Sequence, residues 1–117
     1  MGLADVRALR ERTIEAPLDK TLLPRLKNEL DELAAITGDE VLRQNIAPAQ
    51  IEIKHFVHLR YDGSDTSLEV EFGSVQEMVS AYEVAYRARF GFVMEGKGVI
   101  AATISVEAIG HTFDLVN

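Results

Sequence analysis

A regularly alternating segment at residues 51–61 constrains the fold more than any other feature of this chain. One side of the alternation carries Ile51, Ile53, His55, Val57, Leu59 and Tyr61, and the other carries Glu52, Lys54, Phe56, His58 and Arg60. A period of two predicts a β-strand with one face on the core. Asp62-Gly63 follows at once, and this dipeptide is typical of a tight hairpin turn. We therefore expect a β-hairpin whose second strand ends at Gly73.

The turn also predicts how the two strands of this hairpin pair. If Asp62-Gly63 is a two-residue loop, Tyr61 faces Ser64. The paired residues are then Val57 with Leu68, Ile53 with Phe72, Arg60 with Asp65, and Lys54 with Glu71. A shift by two residues would separate both opposite-charge pairs, so the sequence favours this register.

Helical patterns occupy three other segments. Ser74-Val75-Gln76-Glu77 is a capping box, and the helix that it begins should end at Gly91. An earlier helix is predicted from Thr21, as its cap, to near Thr37-Gly38, with a short separate turn after Asp39. Its apolar stripe consists of Leu22, Leu26, Leu30 and Leu33. Residues 3–12 carry Leu3, Val6 and Leu9 at helical spacing, which predicts a short first helix.

A third strand is predicted from Val99 to Ile109, where β-branched residues are frequent. It follows a strand and a helix, so it should run parallel to the second strand and pair with the first. The predicted fold is α+β: a three-stranded antiparallel sheet of order 2-1-3 with two main helices on one face. The opposite face, which holds Phe56, His58, Arg60, Glu69 and Glu71, should stay partly open.

Charge and composition exclude several classes of function. The formal net charge of −7, from 19 acidic and 12 basic residues, argues against a nucleic-acid partner. The chain has no cysteine, and no segment has the ~20 apolar residues of a membrane span. Since the N-terminal residues do not resemble a secretory signal, we expect a cytoplasmic protein without a membrane partner.

The chemistry-bearing residues do not form a recognisable catalytic motif. His55 and His58 would point to opposite faces of one strand, so no metal site is expected. His58, Ser64 and Asp62 have the side-chain types of a hydrolase triad, but adjacent turn residues do not stack in the required order. Gly91, Gly96 and Gly98 follow a helix, whereas phosphate-binding loops precede one. Glu69 and Glu71 are most simply the solvated side of a strand, and the catalytic residues stay unknown.

The hairpin segment His58–Leu68 nevertheless resembles a family signature. It is similar to the Leu-Arg-Tyr-x-Gly segment of the 5-oxoprolinase and hydantoinase A family, and Ser64-Asp65-Thr66 matches its oxoprolinase branch. The hydantoinase branch usually has Gln where this chain has Ser64. The similarity continues at Gly2-Leu3-Ala4-Asp5, Glu15-Ala16-Pro17-Leu18 and Arg89-Phe90-Gly91-Phe92, and in the strand from Val99 to Gly110.

This resemblance implies an ATP-dependent hydrolase that opens a cyclic amide, either 5-oxoproline or a hydantoin. Residues 1–117 would be a single domain from the C-terminal part of the A-type region, inactive in isolation. Residues 1–17 would connect it to a missing upstream nucleotide-binding domain. ATP and Mg²⁺ are implied for the full-length enzyme and not for this piece. Further partners would be a B-type subunit or region and, in a homo-oligomer, a second copy.

Matching to the family is densest at Arg60, Tyr61, Asp62, Gly63, Asp65 and Thr66. These are the candidate residues for substrate binding or for a domain interface. For Arg60 the simpler interpretation is a cross-strand partner of Asp65. The alternative for the whole chain is a non-catalytic interaction or oligomerisation module.

Overall fold

The computed structural model describes residues 6–111, which form a sheet with two long helices. In chain order the elements are β1 (Val6–Pro17), α1 (Leu23–Leu42), a 3₁₀ turn (Pro48–Gln50), β2 (Ile51–Tyr61), β3 (Leu68–Glu71), α2 (Val75–Phe90) and β4 (Val99–Gly110). The α+β class is therefore confirmed.

The sheet has four strands in the order β1-β4-β2-β3, and each neighbouring pair is antiparallel. The three predicted strands are β2, β3 and β4, and their predicted order is confirmed. The prediction of three strands is wrong, because β1 adds a fourth strand beside β4. The last element of the chain thus lies inside the sheet.

The predicted first helix is wrong wherever the structure describes it. Residues 6–12 belong to β1, which pairs with β4 from Val6↔Gly110 onward, and residues 1–5 lie outside the described range. A helix here would bury little, and Leu9 stays 58% exposed even in the sheet. Pairing with β4 instead satisfies the backbone on one side of the segment.

The first long helix continues past its predicted end. Helix α1 runs through Thr37 and Gly38 to Leu42, so the separate turn expected after Asp39 is its last part. The Thr37 hydroxyl donates to the Leu33 carbonyl at 2.9 Å, which satisfies this polar group inside the helix. The expected cap is also wrong: Leu22 is the N-cap, and Thr21 donates to the Asp19 carboxylate.

The turn of the hairpin is where it was predicted, but the register is not. The Ser64 amide donates to the Tyr61 carbonyl at 3.0 Å across Asp62-Gly63, and Gly63 has a φ of 86°. Pairing then resumes only at Leu59↔Leu68.

The observed pairs are therefore displaced by two residues from the prediction. Val57 lies opposite Val70 and Phe56 opposite Glu71, so the predicted partners Leu68 for Val57 and Lys54 for Glu71 are wrong. The Phe72 amide donates to the His55 carbonyl, which also excludes its predicted pairing with Ile53. Since a shift by two keeps every side chain on its face, the predicted faces are still correct.

Both helices cover one face of the sheet, as predicted. The main core contains residues of α1, of α2 and of all four strands, including Leu26, Leu30, Val57, Leu59, Met78, Tyr82 and Ile104. Helix α2 begins with the predicted capping box, in which Ser74 accepts from the Glu77 amide and Glu77 accepts from the Ser74 amide. Gly91 ends the helix in the left-handed region at a φ of 84°.

The other face of the sheet, here called the outer face, carries no helix among the described residues. Phe56, His58 and Arg60 of β2 lie on it, and Glu69 and Glu71 face His58 and Phe56 across the ladder. Within residues 6–111, no helix is long and apolar enough to cross a membrane.

Candidate functional site

Arg60 lies on the outer face near the end of β2, where it holds the hairpin loop to a distant strand. Its Nη2 donates to Oε1 of Glu15 on β1 at 2.5 Å. Its Nη1 donates to the Ser64 carbonyl at 3.3 Å. The predicted cross-strand pair with Asp65 is therefore wrong, because Glu15 is the carboxylate that Arg60 bonds.

The charge of Arg60 is stabilised by its surroundings. The hydrogen bond that Arg60 donates to Glu15 raises the pKa of Arg60, with smaller contributions from the charges of Glu15, Asp62 and Asp65. Only 22% of the Arg60 side chain is exposed, against 49% for Glu15. Three acidic groups thus surround one permanently charged guanidinium.

An irregularity in β1 brings Glu15 into this position. The β1–β4 register shifts between Thr13 and Ala16, and Glu15 has a φ of 49°, which is uncommon for a residue other than glycine. On the other side of β4, the β2 register shifts between His58 and Leu59. Both irregularities lie beside residues 101–103 of β4. β-Bulges of this kind redirect side chains.

These features enclose a shallow pocket of about 500 Å³ at the end of the outer face. Its lining includes Glu15, Arg60, Gly63, Ser64, Asp65 and Thr103. The groups are charged or hydroxylic, so the pocket is suited to a small polar ligand and not to an apolar one. Its carboxylates outnumber its single cation, which makes the local charge negative.

The candidate residues from the sequence do not all reach this pocket. Arg60, Gly63 and Asp65 line it. Tyr61 lies on the opposite face, 3% exposed, and its hydroxyl accepts from the Met94 amide at 3.2 Å.

The remaining two candidates shape the loop through their backbone. The Asp62 amide donates to the Gly98 carbonyl at 2.8 Å. The Thr66 amide donates to the Ser64 hydroxyl at 3.1 Å. A role of any of the six candidates in binding substrate stays a prediction.

Glu15 and Thr103 are among the pocket residues that were not identified as site candidates from the sequence. Glu15 is 45 positions from Arg60, and it lies in residues 1–17, which were predicted to be a connector and not a strand of the sheet. Its contact depends on β1 lying beside β4, for which the sequence contains no local signal.

His58 has a partner other than those considered from the sequence. Its Nε2 lies 3.0 Å from the hydroxyl of the buried Ser105 and 3.7 Å from Oε2 of Glu69. Both contacts involve the same ring nitrogen, whereas a catalytic relay needs the acid on the other nitrogen. The three groups therefore have no triad geometry. Within the described range, no three acidic or histidine side chains are placed to hold a metal ion.

Relatives of the chain were found by comparing sequences. No protein-family model matches the chain. The 5-oxoprolinase of Dictyostelium discoideum is 21% identical over 115 residues, which cover 98% of this chain and 9% of that protein. The 5-oxoprolinase of Saccharomyces cerevisiae is 26% identical over 90 residues, 75% of this chain and 7% of that protein. The 5-oxoprolinase 1 of Arabidopsis thaliana is 23% identical over 117 residues, 96% of this chain and 9% of that protein.

The chain is thus similar in sequence to three proteins named 5-oxoprolinase. The resemblance seen in the hairpin motif is therefore confirmed by similarity along most of the chain. The chain spans less than a tenth of the length of the 5-oxoprolinases that it matches.

Two solved structures share the fold of this chain. Nucleotide-free acetone carboxylase superposes with a TM-score of 0.72 at 12% identity, over 94% of this chain and 18% of that one. The ATP-dependent caprolactamase of Pseudomonas jessenii superposes with a TM-score of 0.68 at 17% identity, over 92% of this chain and 17% of that one. In both, a domain with this fold is a minor part of a larger polypeptide.

Proposed function

We propose that this chain is a domain of an ATP-dependent hydrolase that opens a cyclic amide, 5-oxoproline or a hydantoin. The observation that carries the proposal is the sequence similarity to three proteins named 5-oxoprolinase, which extends over 75–98% of the chain. The fold shared with an ATP-dependent caprolactamase is consistent with it.

The domain is proposed to be inactive alone. Its pocket is shallow, and the single cation in it is already bonded to Glu15. Gly91, Gly96 and Gly98 follow helix α2, whereas glycine-rich phosphate-binding loops precede a helix, which supports a nucleotide site outside this domain. ATP and Mg²⁺ would therefore bind elsewhere in the full-length enzyme.

The proposed arrangement in the parent enzyme follows the family resemblance. This domain would come from the C-terminal part of the A-type region, with residues 1–17 leading from an upstream nucleotide-binding domain. A B-type subunit or region would be a further partner, and the enzyme would be cytoplasmic. In this arrangement Val6–Pro17 would connect the two domains and also supply β1 of the sheet.

The test measures ATP-dependent release of glutamate from 5-oxoproline, and ring opening of a hydantoin, by the full-length protein and by residues 1–117. We expect turnover of one substrate by the full-length protein and none by the isolated domain. Absence of turnover from both proteins would contradict the enzyme assignment.

Arg60 tests whether the pocket takes part in that reaction. We expect Arg60→Ala in the full-length enzyme to lower turnover, because the variant removes the only cation that lines the pocket in the described range. Arg43→Ala is the matched control, since Arg43, the C-cap of α1, is 77% exposed and also pairs with a carboxylate, that of Asp39. Unchanged kinetics together with a lower melting temperature for Arg60→Ala would assign Arg60 a structural role only.

The second candidate function is a non-catalytic interaction or oligomerisation module. The outer face favours it, because in the described structure no helix covers this side of the sheet. Full activity of a parent enzyme whose pocket residues Arg60 and Asp65 are both replaced by Ala would support this alternative.

A further inference from the structure

Strand β1 forms one edge of the sheet. Along Val6–Pro17 it pairs with β4 on one side, and no described strand pairs with its other side. Every second residue of such a strand directs its amide and carbonyl groups away from the sheet. An exposed edge of this length is a template for pairing with another strand.

The side chains on the outer face of this edge are self-complementary. Arg7, Leu9 and Glu11 lie opposite Ile109, Glu107 and Ser105 of β4, which places all three on one face. Leu9 is 58% exposed and lies midway between the two opposite charges. If two copies of β1 pair antiparallel with Leu9 on the two-fold axis, Arg7 of each copy lies opposite Glu11 of the other.

Neighbouring registers lack this complementarity. Only residues of the same face can lie opposite each other in a two-fold pair, so the axis must pass through a residue position. An axis at Arg10 sets two guanidinium groups opposite each other, and an axis at Glu11 sets two carboxylates opposite each other. An axis at Ala8 places Arg7 opposite Leu9. Only the axis at Leu9, among these four, gives opposite-charge pairs without like-charge ones.

The other cations of β1 do not oppose this pairing. Arg10 donates two hydrogen bonds to Glu40 of α1, and Arg12 bonds Glu29 and Glu32 of the same helix. Their charges are thus balanced on the inner side of the sheet. Arg7 donates to Glu107 at 2.9 Å, and a guanidinium with five N–H groups can bond a second carboxylate at the same time.

We propose that β1 pairs with β1 of a second copy of this chain, antiparallel about Leu9, so that the two sheets become continuous. The strand that pairs with this edge is thus β1 of another copy, and the opposite charges of Arg7 and Glu11 select it. Arg7, Leu9 and Glu11 do not line the Arg60 pocket, and the proposal is independent of the cyclic-amide reaction. Because one strand pair buries little area, the dimer is expected to be weak and to depend on concentration.

Sedimentation equilibrium of residues 1–117 over a concentration series tests the dimer. We expect the weight-average mass to rise from 13.0 kDa towards twice that value in the wild type. Leu9→Lys and Glu11→Arg each place like charges opposite each other and should keep the protein monomeric. Val84→Lys is the control, because Val84 is a 72% exposed apolar residue on α2, away from this edge. It should dimerise as the wild type does.

A mixing experiment tests the charge pairs themselves. Glu11→Arg and Arg7→Glu should each be monomeric alone, whereas their equimolar mixture should form a heterodimer in which both charge pairs are restored. Circular dichroism of each variant checks that it is folded, since Arg7→Glu also loses the bond to Glu107.

If Arg7→Glu does not fold, hydrogen exchange of the wild type supplies the test. Outward-facing amides in the segment 6–12 should gain protection as the concentration rises, and those of β3 should not. A wild type that stays monomeric throughout overturns the proposal. So does a dimer that survives both Leu9→Lys and Glu11→Arg.

Discussion

Three tyrosines from two elements meet under the hairpin, and their hydroxyl groups have different surroundings. The rings of Tyr61 and Tyr82 lie 5.0 Å apart, and those of Tyr61 and Tyr86 lie 4.9 Å apart, both edge to face. The Tyr61 hydroxyl accepts from the Met94 amide. The Tyr82 hydroxyl is fully buried and has no hydrogen-bond partner within the described residues. The hydroxyl group of Tyr61 therefore has a hydrogen-bond partner, whereas that of Tyr82 has none among the described residues.

This difference predicts opposite effects of the same substitution. Tyr82→Phe removes an unsatisfied buried hydroxyl, so stability should stay constant or rise by about 1 kcal/mol. Tyr61→Phe leaves the Met94 amide without its acceptor and should lower stability by about 1–3 kcal/mol. Urea unfolding followed by circular dichroism measures both. An equal loss of stability in the two variants would mean that Tyr82 has a partner after all.

Tyr82 also predicts how stability changes at high pH. Burial raises the pKa of Tyr82 to about 12 from its usual value of 10.0. Between these values the unfolded chain has released the proton and the folded chain still holds it, so stability falls as pH rises. We expect the decline in melting temperature from pH 10 to 12 to be smaller in Tyr82→Phe than in the wild type. Identical pH profiles would contradict the assignment.

The alternation of β2 already implied that the candidate residues could not all lie on one face of the sheet. Arg60 and Tyr61 are neighbours in a strand, so their side chains necessarily point to opposite faces. The structure accordingly places Arg60 in the pocket and Tyr61 in the core. Arg60 and Tyr61 were grouped as candidates because they are adjacent in the sequence, but adjacent residues of a strand cannot line the same pocket.

At the scale of elements, the irregularity in β1 at Glu15 predicts a measurable difference between two substitutions. Glu15 has a φ of 49°, where a Cβ atom is unfavourable and glycine is not. Glu15→Gly and Glu15→Ala both lose the bond to Arg60, so their difference reports the backbone alone. We expect the Gly variant to be the more stable by about 1 kcal/mol, from thermal or urea unfolding. Equal stability of the two variants would mean that the backbone of residue 15 is not in the left-handed region.

Elements fixed by local signals were predictable, and those fixed by distant partners were not. Helix α2 has its capping box at Ser74 and its terminal Gly91 within the segment itself, and both ends are correct. The role of β1 depends on β4, about a hundred positions away, and its sparse apolar residues matched a helical period equally well. The hairpin register failed for a related reason, since the acidic partner of Arg60 is Glu15, from another strand, and not Asp65.

For the whole molecule, the position of β4 has a consequence for how the chain acquires its structure. β4 is the last element in sequence and lies between β1 and β2, and Val6 pairs with Gly110. Deleting residues 99–117 therefore removes the partner of both strands. We expect the truncated chain to lose cooperative thermal unfolding, as measured by calorimetry, whereas retention of a sharp transition would show that β2, β3 and the helices fold without β4.

The same topology bears on synthesis by the ribosome. Helix α1 and β1 are complete long before β4 emerges, so the core leucines of α1 lack much of their sheet until nearly the whole domain has been made. Contacts that close so large a loop also place the domain among the slower folders of its size. The sheet therefore cannot be completed until Gly110 has left the ribosomal exit tunnel, because β4 joins β1 to β2.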